Sequence, residues 1–248
     1  MLNIAEIAAQ AAADVATDFI QDAGIVSSRD KDIKTLADEK MNEVIYSHLL
    51  PSGIPIISEE SDSNGALIPS KCWIIDPLDG TFNFTRAYPF YGVSVSLWED
   101  GRPVIGVVKD ISNSISYSSE KGNGSKMNGK AIHVSTTEKL NNAILTTGFP
   151  SGGDYSTDYL LAFVSSVQKF KKVRAIGSAA LMLCHVAQGI CDVYYENDIY
   201  LWDVAAGLLL VEEAGGKVYL RRKGNTWKYE VLASNSAVFE QASQLLIK

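Results

Sequence analysis

The stretch Cys72-Trp73-Ile74-Ile75-Asp76-Pro77-Leu78-Asp79-Gly80-Thr81-Phe82-Asn83-Phe84, CWIIDPLDGTFNF, decides how this chain is read. Four apolar residues suited to a buried strand run directly into two carboxylates and a Gly-Thr pair. The strand is expected to end at Asp76, since Pro77 cannot donate to a ladder. Asp76, Asp79 and the Leu78 carbonyl in one bend offer the oxygen ligands that a hard cation such as Mg²⁺ takes. The Gly80 and Thr81 amides, opening a predicted helix, suit a phosphate group, and a glycine lets the backbone approach closely. Asp-Pro and Asp-Gly are also ordinary turn formers, so these residues alone leave a plain turn open.

Two other places bear on that choice. Ser58-Glu59-Glu60 ends an apolar run at 54–57, where a solvated loop is the simpler reading. Trp202-Asp203 opens the apolar stretch 204–211, where an aspartate ordinarily caps a helix. Acidic groups at the ends of three buried elements would repel one another unless cations bind among them.

The bulk properties narrow the function classes. The chain has 248 residues, 46% of them hydrophobic, enough for one large domain or two packed halves. A formal net charge of -7 argues against general nucleic-acid binding. The three cysteines, Cys72, Cys184 and Cys191, lie in apolar stretches and read as buried thiols rather than a disulfide framework. The N-terminal stretch lacks a basic region and carries Glu6, unlike a signal peptide. No apolar run is long enough for a membrane span. A cytoplasmic location is expected.

Periodicity predicts a helix over 3–22 with Ile4, Ile7, Ala8, Ala11, Val15 and Ile20 inward, then a polar loop over 26–32. A helix over 36–49 follows, with Met41, Val44, Ile45 and His48 inward. Strands are expected over 54–58, 91–98, 103–109, 114–118 and 131–134, with hairpin turns at Asp100-Gly101 and Asn128-Gly129. Beyond residue 142 strands at 143–147, 172–176, 191–195 and 217–220 alternate with helices at 157–170, 179–188 and 203–214. A strand and a helix close the chain. This predicts an α+β half over 1–140 and an α/β half over 141–248, with the site between them.

Rival motifs fit less well. Gly124 to Lys130 approaches a Walker A loop, but Ala131 stands where a Mg²⁺-binding hydroxyl belongs and a strand follows. The Asp-x-Asp-Gly-Thr motif of haloacid-dehalogenase-like phosphatases has one residue fewer than Asp76 to Thr81. His48, His133 and His185 are scattered, which leaves zinc chemistry little support. There is no Gly-x-Ser-x-Gly elbow.

Taken jointly, Glu59-Glu60, Asp76-Pro-Leu-Asp79-Gly-Thr81 and Trp202-Asp203-Val-Ala-Ala resemble the inositol monophosphatase family of Mg²⁺-dependent, lithium-sensitive phosphatases. The resemblance extends from about Ala5 to the end and includes Ala175-Ile-Gly177-Ser178-Ala179-Ala180 and Tyr195-Glu196. It implies an α+β fold, a layered αβαβα sandwich of the inositol monophosphatase and fructose-1,6-bisphosphatase type, and a homodimer is expected.

By the same resemblance Glu59, Asp76, the Leu78 carbonyl, Asp79 and Asp203 hold two or three Mg²⁺ ions, and Gly80 and Thr81 bind phosphate. Glu59 and Thr81 orient and deprotonate a metal-activated water that hydrolyses a phosphate monoester. Gly177, Ser178, Ala179 and Glu196, with Asp79 and Asp203, contact the substrate. Asp32-Ile-Lys-Thr35-Leu-Ala-Asp38 matches a mobile-loop signature, with Lys34 where an apolar residue is usual, and Asp32 and Asp38 are candidates for a third metal site. Phe82-Asn83-Phe84 resembles the inositol-phosphatase branch. Bisphosphate nucleotides, fructose 1,6-bisphosphate, NADP(H) and histidinol phosphate are the alternative substrates. A regulatory, protein-binding role in transcription is the alternative of another class.

Overall fold

The structure, a computed structural model, describes residues 1–20, 24–29, 32–61, 68–149 and 153–247, with backbone alone at 28, 29 and 32. Strand β4 (Lys71–Asp79) lies inside a seven-stranded sheet. Its neighbours are β3 (Ile56–Ser58), parallel to it, and β5 (Gly92–Glu99), antiparallel. The sheet continues through β6 (Arg102–Asp110), β7 (Ile115–Glu120), β8 (Ser125–Met127) and β9 (Lys130–Ala131). A separate hairpin, β1 (Ile25–Arg29) with β2 (Asp32–Thr35), precedes it in the chain.

The unbroken apolar run of β4 follows from burial on both faces. Trp73 and Ile75 pack on one side with α1 (Leu2–Ala16) and α2 (Leu36–Leu49). Cys72 and Ile74 pack on the other with α5 (Ala179–Ala187) and α6 (Leu201–Glu213). Trp73 is wholly buried, and truncation to alanine would cost about 3–5 kcal/mol.

The far side of α5 and α6 meets a five-stranded sheet in the order β11 (Lys172–Arg174), β10 (Ile144–Thr147), β12 (Val193–Tyr200), β14 (Lys228–Asn235), β13 (Gly216–Arg222). Helices α4 (Thr157–Val167) and α7 (Phe239–Leu246) cover its outer face. The layers therefore run αβαβα. Among the described residues no helix is long and apolar enough to cross a membrane.

Several expectations are corrected. Helix α1 ends at Ala16, and its buried face is Ala5, Ala8, Ala9, Ala12, Ala13 and Ala16, while Ile7 and Ile20 are exposed. Methyl-sized side chains let α1 lie close against α2 and β6, which no branched residue would allow. Within the segment expected as a polar loop over 26–32, residues 30 and 31 lie outside the described residues, and the rest contributes strand to the β1–β2 pair, with Val26 in a bulge and both Ile25 and Val26 exposed. Residues 132–134 are not a strand; β9 stops at Ala131. The Walker-like segment is the β8–β9 hairpin, with Asn128 and Gly129 at φ 49° and 76°.

Strand β4 does not stop at Asp76. Asp76 pairs with Ser94 and Asp79 with Gly92, so one extra residue on β4 forms a bulge that accommodates Pro77. A bulge re-aims side chains, and here it turns both carboxylates out of the sheet's regular alternation at its end.

Candidate active site

Helix α6 reaches that end by lying directly on the sheet. A Cβ on Gly106 of β6 would sit 2.5 Å from the Ala206 carbonyl oxygen, so glycine is required for the approach. Ser94, the cross-strand partner of Asp76, donates its hydroxyl to the Trp202 carbonyl at 3.1 Å. This contact brings Asp203 beside Asp76. Tyr200, not Asp203, occupies the N-cap position; Asp203 lies in the first turn, where its carboxylate accepts from the Tyr200 backbone. Glu59 arrives from the short 3₁₀ turn Glu59–Ser61 after β3.

One carboxylate oxygen each of Glu59, Asp76 and Asp203 falls within 4.8 Å of the others. Burial first, then the charges of Glu59, Asp79 and Asp203, push the Asp76 pKa well above the carboxylate range. Asp203 is raised likewise, by burial and then by Glu59, Asp79 and Glu196. An all-oxygen donor set whose charges oppose one another fits a hard divalent cation.

Asp79 is close enough to raise both neighbours but is itself held differently. The Ser178 hydroxyl donates to its Oδ2 at 2.5 Å and the Ala180 amide at 2.8 Å. Burial raises its pKa to about 6, and these donors at the start of α5 oppose the rise. Ser178 also accepts from the Leu181 amide at 3.4 Å, capping α5.

Gly80 has φ +86°, and a Cβ there would meet the Phe90 carbonyl oxygen at 2.9 Å and that of Gly177 at 3.2 Å. Only glycine can make this turn into α3 (Thr81–Thr85). Asn83 clamps the same region, donating to the carbonyls of Phe90 and Ile176 at 2.8 Å each. The structure thus sets Gly177 and Ser178 against Gly80 across the two halves of the chain, with Ala179 as the first residue of α5.

The Thr81 hydroxyl lies 2.9 Å from the Leu78 carbonyl oxygen and 3.1 Å from Asp38 Oδ1. Asp38 is almost fully buried in the capping box that opens α2, and its Oδ2 accepts from the Thr35 amide at 2.8 Å and hydroxyl at 2.5 Å. Burial lifts the Asp38 pKa to about 6. Both Asp38 oxygens are therefore engaged by threonines. The side chain of Asp32 lies outside the described residues.

Glu196 is buried on β12 and lines a cleft with Thr147, Gly148, Phe149, Tyr155 and Tyr159. Burial, and secondarily Asp79, raises its pKa to about 8, against a lowering contribution from the Tyr194 hydroxyl. The sequence reading missed Asn83, the Asp38–Thr81 contact, the aromatic wall beside Glu196 and an ion pair of Lys34 with Glu60. The capping box Thr35-x-x-Asp38 was a legible signal only for the Thr35–Asp38 pair; the contacts missed depend on packing between separate elements.

Comparison with known proteins accords with this geometry. Residues 1–246 match the inositol monophosphatase family. The chain is 33% identical to an inositol-1-monophosphatase of Mesorhizobium japonicum, over 88% of this chain and 84% of that one. It is 36% identical to Nus factor SuhB of Escherichia coli, with the same coverage of 88% and 84%. The solved inositol monophosphatase of Anabaena (Nostoc) sp. PCC 7120 superposes with a TM-score of 0.85 at 33% identity, covering 98% of this chain and 94% of that one. With the match spanning nearly its whole length, the chain belongs to the inositol monophosphatase family.

Proposed function

We propose that this chain is a Mg²⁺-dependent phosphate monoester hydrolase acting on polyol phosphates, inositol monophosphate foremost. The observation that carries the reading is the convergence of Glu59, Asp76 and Asp203 within 4.8 Å of one another, beside the Gly80 turn and the buried carboxylate of Glu196. Glu59, Asp76 and Asp203, with Asp79 and the Leu78 carbonyl, would hold the cations. Bound there, Mg²⁺ supplies Lewis-acid polarisation of the phosphoryl group and acidifies water.

The remaining chemistry belongs to the chain. First-turn amides of a helix are not consumed by its own ladder, so the Gly80 and Thr81 N–H groups are placed to receive phosphate oxygens. Thr81 aligns the attacking water, and its own proton passes to Asp38 as the hydroxyl accepts one from the water. A pKa of about 6 suits Asp38 to this exchange near neutrality. The water oxygen bonds to phosphorus as the P–O bond to the alcohol breaks, and the departing alkoxide takes a proton from solvent beside Asp203. Glu196 accepts hydrogen bonds from substrate hydroxyls.

The test is a phosphate-release screen over inositol 1-phosphate, adenosine 3′,5′-bisphosphate, fructose 1,6-bisphosphate, NADP and histidinol phosphate. Release should be fastest from inositol 1-phosphate with Mg²⁺, be inhibited by Ca²⁺, and vanish in excess chelator. Full turnover in chelator would refute the metal reading. Faster release from another ester would move the substrate while leaving the mechanism standing. A second, protein-binding reading is favoured by the 36% identity to Nus factor SuhB. Capture of transcription proteins by the Asp203→Asn chain, without phosphatase turnover by the parent, would favour it.

A further inference from the structure

Lys34 lies on β2, one residue before Thr35 and the capping box that holds Asp38. Its Nζ forms an ion pair with Glu60 Oε2 and stands 3.8 Å from Glu39 Oε1 on α2. The Glu60 side chain is only 10% exposed, although that of Lys34 is 36% exposed. Glu60 is the immediate neighbour of Glu59 in the 3₁₀ turn that delivers Glu59 to the carboxylate cluster.

The backbone of that turn is fixed from α2. Ser58 donates its hydroxyl to Asn42 Oδ1 at 2.7 Å and accepts from the Glu60 amide at 3.2 Å, while the Ser61 hydroxyl donates to the Ser58 carbonyl at 2.9 Å. Lys34 fixes the outer end of the turn by holding the Glu60 carboxylate. A half-exposed ion pair contributes little to stability by itself. Its position beside a ligand-bearing turn gives it another use.

Resting on the metal reading above, we infer that Lys34 is a positioning residue. Its ion pair with Glu60 latches the Glu59–Ser61 turn to the β1–β2 hairpin, so that Glu59 is preset for the cation. One strand then supports both sides of the site, presenting Thr35 to Asp38 and Lys34 to Glu60. Without the ammonium, a poorly solvated Glu60 close to Glu59 and Asp38 turns outward toward water and draws the turn with it.

Two physical effects oppose each other here, which makes the latch testable. By charge alone, removing a lysine near an acidic cluster tightens Mg²⁺ binding; by positioning, it weakens it. The measurement is calorimetric Mg²⁺ titration of the full chain without substrate. Lys34→Met should weaken binding about tenfold, the lower range for groups that orient metal ligands. Lys34→Arg should restore it. Glu60→Gln should lose as much, and the double variant no more than either single. The metal-free melting temperature should move little, as a purely structural role would not allow. Lys34→Gln, which is polar and uncharged, must change in the same direction and serves where the methionine variant does not fold. Binding by Lys34→Met or Lys34→Gln as tight as the parent's, or tighter, overturns the latch, as do additive losses in the double variant. A parent that takes up no Mg²⁺ sinks the metal reading and the latch with it. A parent that binds while both lysine variants bind equally sinks the latch alone.

Discussion

Two sets of buried carboxylates meet at this site, and the protein treats them differently. Asp79 and Asp38 lean on the protein: Ser178 and Ala180 donate to one, Thr35 and Thr81 to the other, and each has a pKa of about 6. Asp76 and Asp203 each accept from one backbone group, Leu78 and Tyr200, but burial and the charges of Glu59 and Asp79 drive their pKa values well above that. Donors built into a fold stabilise an anion permanently. A repelling cluster is instead complete only when a cation joins it.

Removing one member of each set should separate them most strongly. Asp203→Asn and Asp79→Ala should each lower turnover by roughly 10²–10³-fold or more, through lost cation charge. Their metal-free stabilities should move in opposite directions. Asp203→Asn relieves repulsion and raises the melting temperature in chelator. Asp79→Ala strands the Ser178 hydroxyl and the Ala180 amide, at a cost of about 1–3 kcal/mol for each buried donor, and lowers it. Thermal melts in chelator beside phosphate-release assays measure both. Stability changes of the same sign would erase the distinction between the sets.

The next contrast lies within the cleft beside Glu196, proposed above to take the substrate. Glu196→Gln keeps the shape of the side chain but removes the charge proposed to receive substrate hydroxyl groups, and the comparison is made above pH 8, where Glu196 is ionised. Turnover efficiency on inositol 1-phosphate should fall by about 1–3 kcal/mol, roughly 5- to 150-fold, for a charged hydrogen bond lost. An aryl phosphate without hydroxyls should be almost unaffected, as should Mg²⁺ binding. Equal losses on both esters would make Glu196 a general support of the site.

The repelling set was the more legible in the sequence, since Asp76 and Asp203 each stand at the edge of an apolar run, where a bare carboxylate needs a reason. The supporting donors were not. Ser178 and Asp79 are 99 residues apart and Thr81 and Asp38 43 apart, and nothing local announces either pairing. The fold shows the same division. Alternation along β5 and β6 gave their hairpin, whereas α1 was read by its isoleucines when close packing had selected its alanines. Pro77 was read as an end of pairing because a one-residue bulge cannot be inferred from one strand without its partner.

The smallest effect is expected from pH, and it tests whether the two sets titrate apart. All these groups have folded pKa values above their unfolded ones, so the metal-free fold binds their protons more tightly than the unfolded chain does. Stability from this source is full below the unfolded carboxylate range and is lost as pH rises through each folded pKa. The loss from Asp79 and Asp38 runs up from the unfolded carboxylate range and is complete soon above pH 6, that from Glu196 runs on to about pH 8, and Asp76 and Asp203 are raised well above the ordinary range. In chelator the melting temperature should therefore fall by about 5 °C between pH 5.5 and 8.5, the size expected of a change of one to two kcal/mol in a chain of this length. Saturating Mg²⁺ favours the ionised carboxylates and should flatten or reverse that slope. Glu196→Gln should make the fall shallower up to about pH 8 and leave the share of Asp79 and Asp38, complete soon above pH 6, in place. A melting temperature that is level or rising with pH in chelator would mean that the carboxylates are compensated by the protein throughout, and the cation would lose its place in completing the cluster.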